Sequence, residues 1–384
     1  MRQDTNAPPP TAAAQKLNLV FIGLTLSSSW GNGHATTYRG LLHALHERGH
    51  RLLFLERDVP WYSGHHRDLP DPDFCELAFY NTLEDLRSHE ERLARADAII
   101  IGSYVPDAQE VIQLARSASP GCLAFYDIDT PLTLDSLDRG TCEYLKPEQI
   151  RTFDLYLSFS GGRALEILEN KYHAARARHL PCAVDPRLYQ PVTAEKTHAL
   201  GYLGTYSSDR QPTLEKLLLE PARRCPEERF VVAGPQYPDE VVWPPNVEHV
   251  DHLPPASHGP FYGHQRLTLN VTRDAMKRLG HSPSVRLFEA ASCATAILSD
   301  SWPGIEDYFE PGKEILLCDS TDEAVRIIRE LSEEDARAIG EAARARVTRE
   351  HAPAHRAAAL EAFLGECALQ SGRTGVSTHF EKNS

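Results

Sequence analysis

Short apolar runs, each followed by a turn rich in Gly, Ser or Asp and then by a segment of helical periodicity, recur in two successive series along this 384-residue chain. The first series opens at Leu17. LNLVFIGLTL reads as a buried strand, SSSWGNG as a loop, and HATTYRGLLHALHERG as an amphipathic helix with Leu41, Leu42 and Leu45 inward and Gly49 closing it. Leu52 to Glu56, Glu76 to Tyr80, Ala98 to Gly102, Leu123 to Asp127 and Leu155 to Ser160 repeat the strand signal. The second series runs through Ala199 to Thr205, a helix at Pro212 to Arg223, then Arg229 to Gly234, Val247 to Leu253 and Leu267 to Thr272. Strands alternating with helices pair in parallel, because each crossover lays a helix on the sheet and covers a face. The expectation is an α/β chain with two Rossmann-like halves.

The second series culminates in HSPSVRLFEAASCATAILSD, His281 to Asp300, continued by SWPGIEDYFEPG. Ser282 can cap a helix whose first residue is Pro283, with Val285, Leu287, Phe288 and Ala291 as its apolar side, ending near Ala294. Thr295 to Leu298 then read as a short buried strand and Asp300 to Gly304 as a loop. That order brings an electropositive helix N-terminus to the edge of a parallel sheet, where it suits a phosphate. Ile315 to Cys318, a helix at Asp322 to Leu331, another capped by Ser332 and running to Glu350, and an Ala-rich helix from Pro353 to Cys367 complete the pattern.

The wording SVRLFEAASCATAILSDSWPGIEDYFEPGKEIL resembles the CgeB-like (spore-maturation-protein-like) glycosyltransferases, and more broadly the donor half of retaining group 1 glycosyltransferases of the GT-B superfamily. The resemblance covers both halves and is strongest from His281 to Leu317. It implies two Rossmann-like domains facing across a cleft: an acceptor-side domain over 17–185, a nucleotide-sugar domain over 186–352, and a helix over 353–368 returning toward the first domain. LPCAVDPRLYQP is similar to the stretch that joins such domains. The remaining ends, 1–16 and 369–384, are polar or Pro/Ala-rich and read as flexible tails.

A net charge of −14 without a Lys/Arg run speaks against nucleic acid as a partner. The eight cysteines are scattered, without CxxC or a short-spaced Cys/His set, which suits reduced thiols in the cytoplasm. No stretch reaches the roughly 18 apolar residues of a membrane span, and no signal-peptide core opens the chain, so a soluble, unprocessed protein is expected.

The implied reaction moves a sugar from a nucleotide-sugar donor to a sugar, glycan or small-molecule acceptor, with no separate cofactor and no metal. It needs stabilisation of a departing diphosphate. In GTYSSDR, after the second half's first strand, Arg210 is the candidate cation with Thr205 and Ser207 as donors; the plainer reading is an ordinary capped turn. Arg273, at a strand end, is a second candidate cation or else a surface arginine. Glu289 suits two ribose hydroxyls, being acceptor-only, unless it pairs with Arg286 three residues earlier on the helix. Ser282 and Ser284 are phosphate donors at the helix start. The place of a second family carboxylate, eight residues before Glu289, is held by His281. Gly234, in AGPQYP, falls where the nucleobase is usually lined, and Trp302 to Gly304 would border the donor sugar.

In the first half, WGNGHATTYR sets Gly31 and Gly33 in a loop and His34 at a helix N-terminus, as a base for the acceptor's proton or as a loop residue. Asp127 and Asp129 of FYDIDTP close a strand, and Asp127 is the second candidate base; the alternative is that Asp129 only prepares the turn at Pro131 while Asp127 is solvated. Glu56, Arg57 and Asp58 with Trp61 and Tyr62 suit either a sugar acceptor or a loop anchor, and Ser160 to Gly162 start a helix that could approach the donor. A sugar-nucleotide epimerase and a non-catalytic nucleotide-sugar-binding protein are the other classes this pattern allows.

Overall fold

A computed structural model of the chain describes residues 16–29, 33–65, 67–118 and 120–370. The expected tails fall almost wholly outside these residues, as does Gly31.

The first half carries seven parallel strands: β1 (Asn18–Gly23), β2 (Arg51–Arg57), β3 (Glu76–Tyr80), β4 (Ala98–Gly102), β5 (Leu123–Asp127), β6 (Leu155–Ser158) and β7 (Ala177–His179), in spatial order β3-β2-β1-β4-β5-β6-β7. The second carries β8 (His198–Leu203), β9 (Phe230–Ala233), β10 (Val247–Val250), β11 (Gln265–Asn270), β12 (Ala296–Ser299) and β13 (Leu316–Leu317), ordered β10-β9-β8-β11-β12-β13, again all parallel. The central strands are uninterrupted apolar runs because helices cover both faces; β4, AIIIG, and β5, LAFYD, are buried along their whole length. Each half therefore has its own core, one around Ile22, Ile101 and Phe125, the other around Leu200, Val232 and Leu269. The helix Pro353–Gln370 leaves the second half and packs on α1 (His34–Glu47) of the first, burying Ala357, Leu360 and Leu364 against Leu41, Leu42 and Leu45.

Three details depart from the sequence reading. A seventh strand, β7, completes the first sheet; its three residues, ARH, carry too little apolar signal to stand out. The segment read as one helix from Pro212 holds a π-helical turn, Glu215–Leu219, between two α-helical pieces. The key helix starts at Val285, with Ser284 at the N-cap, and ends at Ser292. Gly280 to Pro283 cannot join it because their backbone is used between the halves: His281 O accepts from Gly161 N at 3.0 Å, and Pro283 O accepts from the Cys182 thiol.

Candidate functional site

Both sheets reverse their winding once, between β1 and β4 in the first and between β8 and β11 in the second. In open α/β sheets the crevice at such a reversal, beyond the strands' carboxyl ends, is where ligands settle. Here the two crevices open into one cleft of about 830 Å³. Its first wall is Ser29, Gly33 and Thr36 after β1, with Arg67 and Asp68. Its second is Gly204 to Ser207 and Arg210 after β8, Gly234 and Pro235 after β9, the turn His252 to Pro255, Arg273 after β11, and Val285, Arg286 and Glu289 of the key helix. A Cβ added at Gly33, the N-cap of α1, would lie 3.7 Å from Val285, so two helix N-termini face each other across the cleft. Both direct backbone N–H dipoles into it.

Three guanidiniums converge on the second wall. Arg210 reaches Thr205 O at 2.7 Å, Arg273 pairs with Asp209 at 3.2 Å, and Arg286 lies over the Tyr202 ring, donating to Leu203 O and, at 3.3 Å, to Asn270 Oδ1. Burial and the charges of Arg286 and Arg273 pull the Arg210 guanidinium below the usual arginine range. Burial would raise the Asp209 carboxyl, but Ser207 and Arg273 outweigh it and hold it below its ordinary value, so it stays charged. Two carboxylates, Asp209 and Glu289, against three cations still leave the wall net positive, and a polyanion relieves the repulsion among the guanidiniums. Ser207 donates to Asp209, and Ser284 donates at 2.8 Å to Asn270, the same oxygen that Arg286 uses. Gly234, at φ +146°, packs so closely that a Cβ would stand 2.2 Å from Gly204 O. Only glycine lets the β8 and β9 loops close to this distance.

Glu289 faces the cleft from the helix and does not pair with Arg286. Its oxygens accept from Tyr189 at 2.9 Å and Tyr262 at 3.0 Å. Arg286 turns instead to the β8 carbonyl end, because that carbonyl and Asn270 offer it buried acceptors.

Not every expected residue lines this cavity. Ser282 is fully buried and shares a 2.6 Å hydrogen bond with Ser160 of the first half, while donating to Gly280 O. His281 pairs with Asp307 at 2.6 Å, its ring wedged where a Cβ on Gly162 or Gly304 would collide with it. Ser160 to Gly162 thus meet the second half at its His281 loop. Trp302 lies in the core beside Tyr308. Glu56 is likewise structural: its buried carboxylate accepts from Leu26 N at 2.7 Å, Ser27 N at 2.9 Å and the Ser27 hydroxyl at 2.6 Å, fixing the loop after β1.

His34, the first residue of α1, follows Gly33 of the first wall without itself lining the cavity, and its Nε2 lies 3.3 Å from Asp129 Oδ2. Its ring edge rests on Tyr104, which follows β4 with a left-handed φ of +62°. Burial would raise the Asp129 carboxyl, but His34 and the field of Arg273 hold it low. The carboxylate beside His34 is therefore Asp129, and Asp127 is corrected from a cleft-edge base to a buried structural group. Asp127 is wholly enclosed, accepting from Thr133 and from Tyr156, each at 2.7 Å, and from Asp129 N. It ends β5 pointing into the sheet's covering layer, whereas Asp129 lies two residues beyond.

Burial raises the Asp127 carboxyl to about 6, despite the hydrogen bonds from Thr133 and Tyr156. An unfolded aspartate titrates near ~3.9, so the folded chain binds this proton more tightly. Its contribution to stability is full below the unfolded value and is lost as pH rises through about 6. Denaturant titrations of the wild type and Asp127→Asn should show the wild type's relative stability falling by about 1 to 3 kcal/mol between roughly pH 4 and 7. A pH-independent difference would mean that Asp127 titrates normally.

Arg286, Tyr189, Tyr262 and the His252 to Pro255 turn were not singled out from sequence as site residues. Tyr189 and Tyr262 are separated from Glu289 by 100 and 27 positions, and phenols inside ordinary loop and helix wording carry no local signal. Arg286 had one, its place beside Glu289, but that spacing points equally to an ion pair. Among the described residues no group of three or more His, Cys, Asp or Glu is placed to hold a metal ion. Likewise no helix among them is long and apolar enough to cross a membrane.

Residues 210–362 match the family model described as glycosyl transferase-like, which is less than half of the chain but includes Arg210, Arg273 and the whole key helix. Among solved structures the chain is similar to sucrose-phosphate synthase from Thermosynechococcus elongatus, with 13% identity and a TM-score of 0.67 over 93% of this chain and 100% of that one. It is also similar to HepE from Anabaena in complex with UDP and glucose, with 12% identity and a TM-score of 0.65 over 91% and 99% of the two chains. A third is an α-glucosyltransferase in complex with UDP, at 12% identity and a TM-score of 0.68 over 91% and 100%. No curated protein matches the sequence. These likenesses establish the fold: two parallel α/β sheets in the GT-B arrangement.

Proposed function

We propose that the protein is a glycosyltransferase that moves a sugar from a nucleotide-sugar donor, bound by the second half, to a hydroxyl of an acceptor bound by the first. The observation that carries this is the convergence of Arg210, Arg273 and two helix N-termini on one cleft; a histidine–carboxylate pair stands directly behind Gly33 of the facing wall. The printed partners of similar structures, UDP and UDP-glucose, are of the same chemical kind.

In this reading the diphosphate lies between Arg210 and Arg273, over the N–H groups that open the Val285–Ser292 helix. Glu289 takes ribose hydroxyls, and the base lies along Pro235 and the His252 to Pro255 turn. As the glycosidic bond breaks, its electron pair leaves with the diphosphate oxygen, and the growing charge meets cations already in place. The acceptor oxygen bonds to the sugar's anomeric carbon while His34 removes its proton, and Asp129 stabilises the imidazolium so formed. Products are the glycosylated acceptor and a nucleoside diphosphate. Because arginines and helix dipoles meet the leaving charge, transfer needs no divalent metal. The fuller likeness, to the CgeB-like enzymes and a cytoplasmic setting, belongs to the same proposal; all eight cysteines are free thiols.

Calorimetry with nucleoside diphosphates tests the donor half. Glu289→Ala should weaken the preferred one by about 1.5 to 3 kcal/mol, the worth of hydrogen bonds to a charged acceptor. An unchanged affinity in a folded variant would remove Glu289 from the site. Transfer lost in EDTA and restored by manganese would contradict the metal-free mechanism.

A further inference from the structure

Two arginine–aspartate pairs shape the first wall of the cleft, and they differ in what they leave for a ligand. Asp68 accepts from Arg39 through two parallel bonds, Nη1 to Oδ2 at 2.8 Å and Nη2 to Oδ1 at 2.9 Å. It also accepts from Ser29 N on Oδ1 and from the Ser29 hydroxyl on Oδ2, each at 2.9 Å. Two donors on each oxygen fill the roughly four lone-pair sites of a carboxylate. Burial would raise the Asp68 carboxyl, but Arg39 and Ser29 outweigh it and hold it at about 2. Asp68 therefore lines the cleft as a charged group with no lone pair left for a ligand hydroxyl.

Arg67, which also lines the cleft, is braced on one side and open on the other. Its guanidinium lies 3.9 Å from the centre of the Phe79 ring, Nη2 donates to Asp58 at 2.7 Å, and Nε donates to the Ser27 hydroxyl at 3.2 Å. Ser27 is fixed in turn, donating to Glu56 at 2.6 Å. Among the described residues nothing accepts from Arg67 Nη1, so its two hydrogens and the second one of Nη2 remain for a ligand.

A stacked and braced guanidinium with one edge open loses little freedom on taking an oxyanion. A neutral sugar hydroxyl brings a proton that needs an acceptor, and the charged groups lining this wall supply none. A carboxylate or phosphate brings lone pairs only, which match a corner that can only donate. We infer that the acceptor carries an anionic group, a carboxylate or a phosphate, which seats on Arg67 while the hydroxyl to be glycosylated faces the donor. This rests on the reading above that the first half binds the acceptor.

The test is calorimetry on the full chain, first saturated with its tightest nucleoside diphosphate so that the arginines of the second wall are occupied. Matched sets are then titrated: glucose, galactose, mannose and glycerol, each beside its carboxylate and its phosphate. In the tightest set the anion should bind about 10- to 100-fold better than its neutral parent, and the larger gain tells carboxylate from phosphate. Arg67→Gln should remove the gain and Arg67→Lys most of it, while nucleoside diphosphate affinity stays within about threefold. Thermal melting confirms that each variant is folded, and Arg67→Lys, which keeps the charge, decides the matter if Arg67→Gln is not. A chain that binds no nucleoside diphosphate overturns the glycosyltransferase reading itself. With the diphosphate bound, sets in which no anion exceeds its parent, or a gain that survives in both variants, overturn the inference alone. A loss of nucleoside diphosphate affinity beyond about threefold in Arg67→Gln assigns Arg67 to the donor and overturns it too.

Discussion

Replacing Arg210 and Arg273 together by alanine is expected to weaken nucleoside diphosphate binding by about 10²- to 10⁴-fold, with roughly 10- to 100-fold for either alone. Each guanidinium makes charge-assisted hydrogen bonds worth about 1.5 to 3 kcal/mol to a phosphate, and the two sites share one ligand. The two losses will differ in kind. Arg210 is held by Thr205 O and is already strained by neighbouring positive charge, so its removal takes away attraction only. Arg273 also neutralises Asp209 at 3.2 Å, so its removal exposes a carboxylate to the diphosphate and adds repulsion. Arg273→Ala should therefore be the more damaging single change, and Asp209→Asn should partly restore binding in that background. Lysine at 210 should not substitute, since a point charge cannot hold Thr205 O and a phosphate in one plane. The wild type's affinity should fall with added salt, and the double variant's much less. An affinity within threefold of wild type in a folded double variant would take the diphosphate out of this part of the cleft.

His34→Ala should lower turnover by about two to four orders of magnitude while donor affinity stays within a few-fold, the pattern of a lost general base. Asp129→Asn should follow it, at a smaller cost, because the imidazolium loses the carboxylate 3.3 Å away. Asp127→Asn should leave turnover close to wild type, since that group is sealed behind Thr133 and Tyr156. Steady-state kinetics on the three variants, each with its donor dissociation constant, separate the roles. Near-normal turnover in both His34→Ala and Asp129→Asn would reject a protein base, and would favour the retaining course in which the departing phosphate takes the acceptor's proton.

The strands and both sheets were legible because buried parallel strands are continuous apolar runs, and each ends at a loop rich in small polar residues. β7 was missed because three residues, two of them titratable, cannot show a period. The start of the key helix was misread by two residues. Ser282 and Pro283 are good capping residues locally, yet Ser282 is claimed by Ser160, 122 positions away, which no local pattern shows. The same limit separates Asp127 from Asp129: both follow one apolar run closely, and only the turn past β5 decides which one is enclosed. Arg210, Arg273 and Gly234 were legible because each follows a strand end that opens on the cleft, whereas Glu289, inside a helix, was legible only through the motif that resembles a known family. The tyrosines that hold Glu289 were not, since their contacts are purely tertiary.

The most direct measurement of the central claim is a crystal structure of the chain with the nucleoside diphosphate that calorimetry ranks tightest. The account predicts the β-phosphate between the guanidiniums of Arg210 and Arg273 at the start of the Val285–Ser292 helix, with both ribose hydroxyls on Glu289 and His34 facing the phosphate across the cleft. A nucleotide bound elsewhere, or one whose phosphates point away from both arginines, would contradict it.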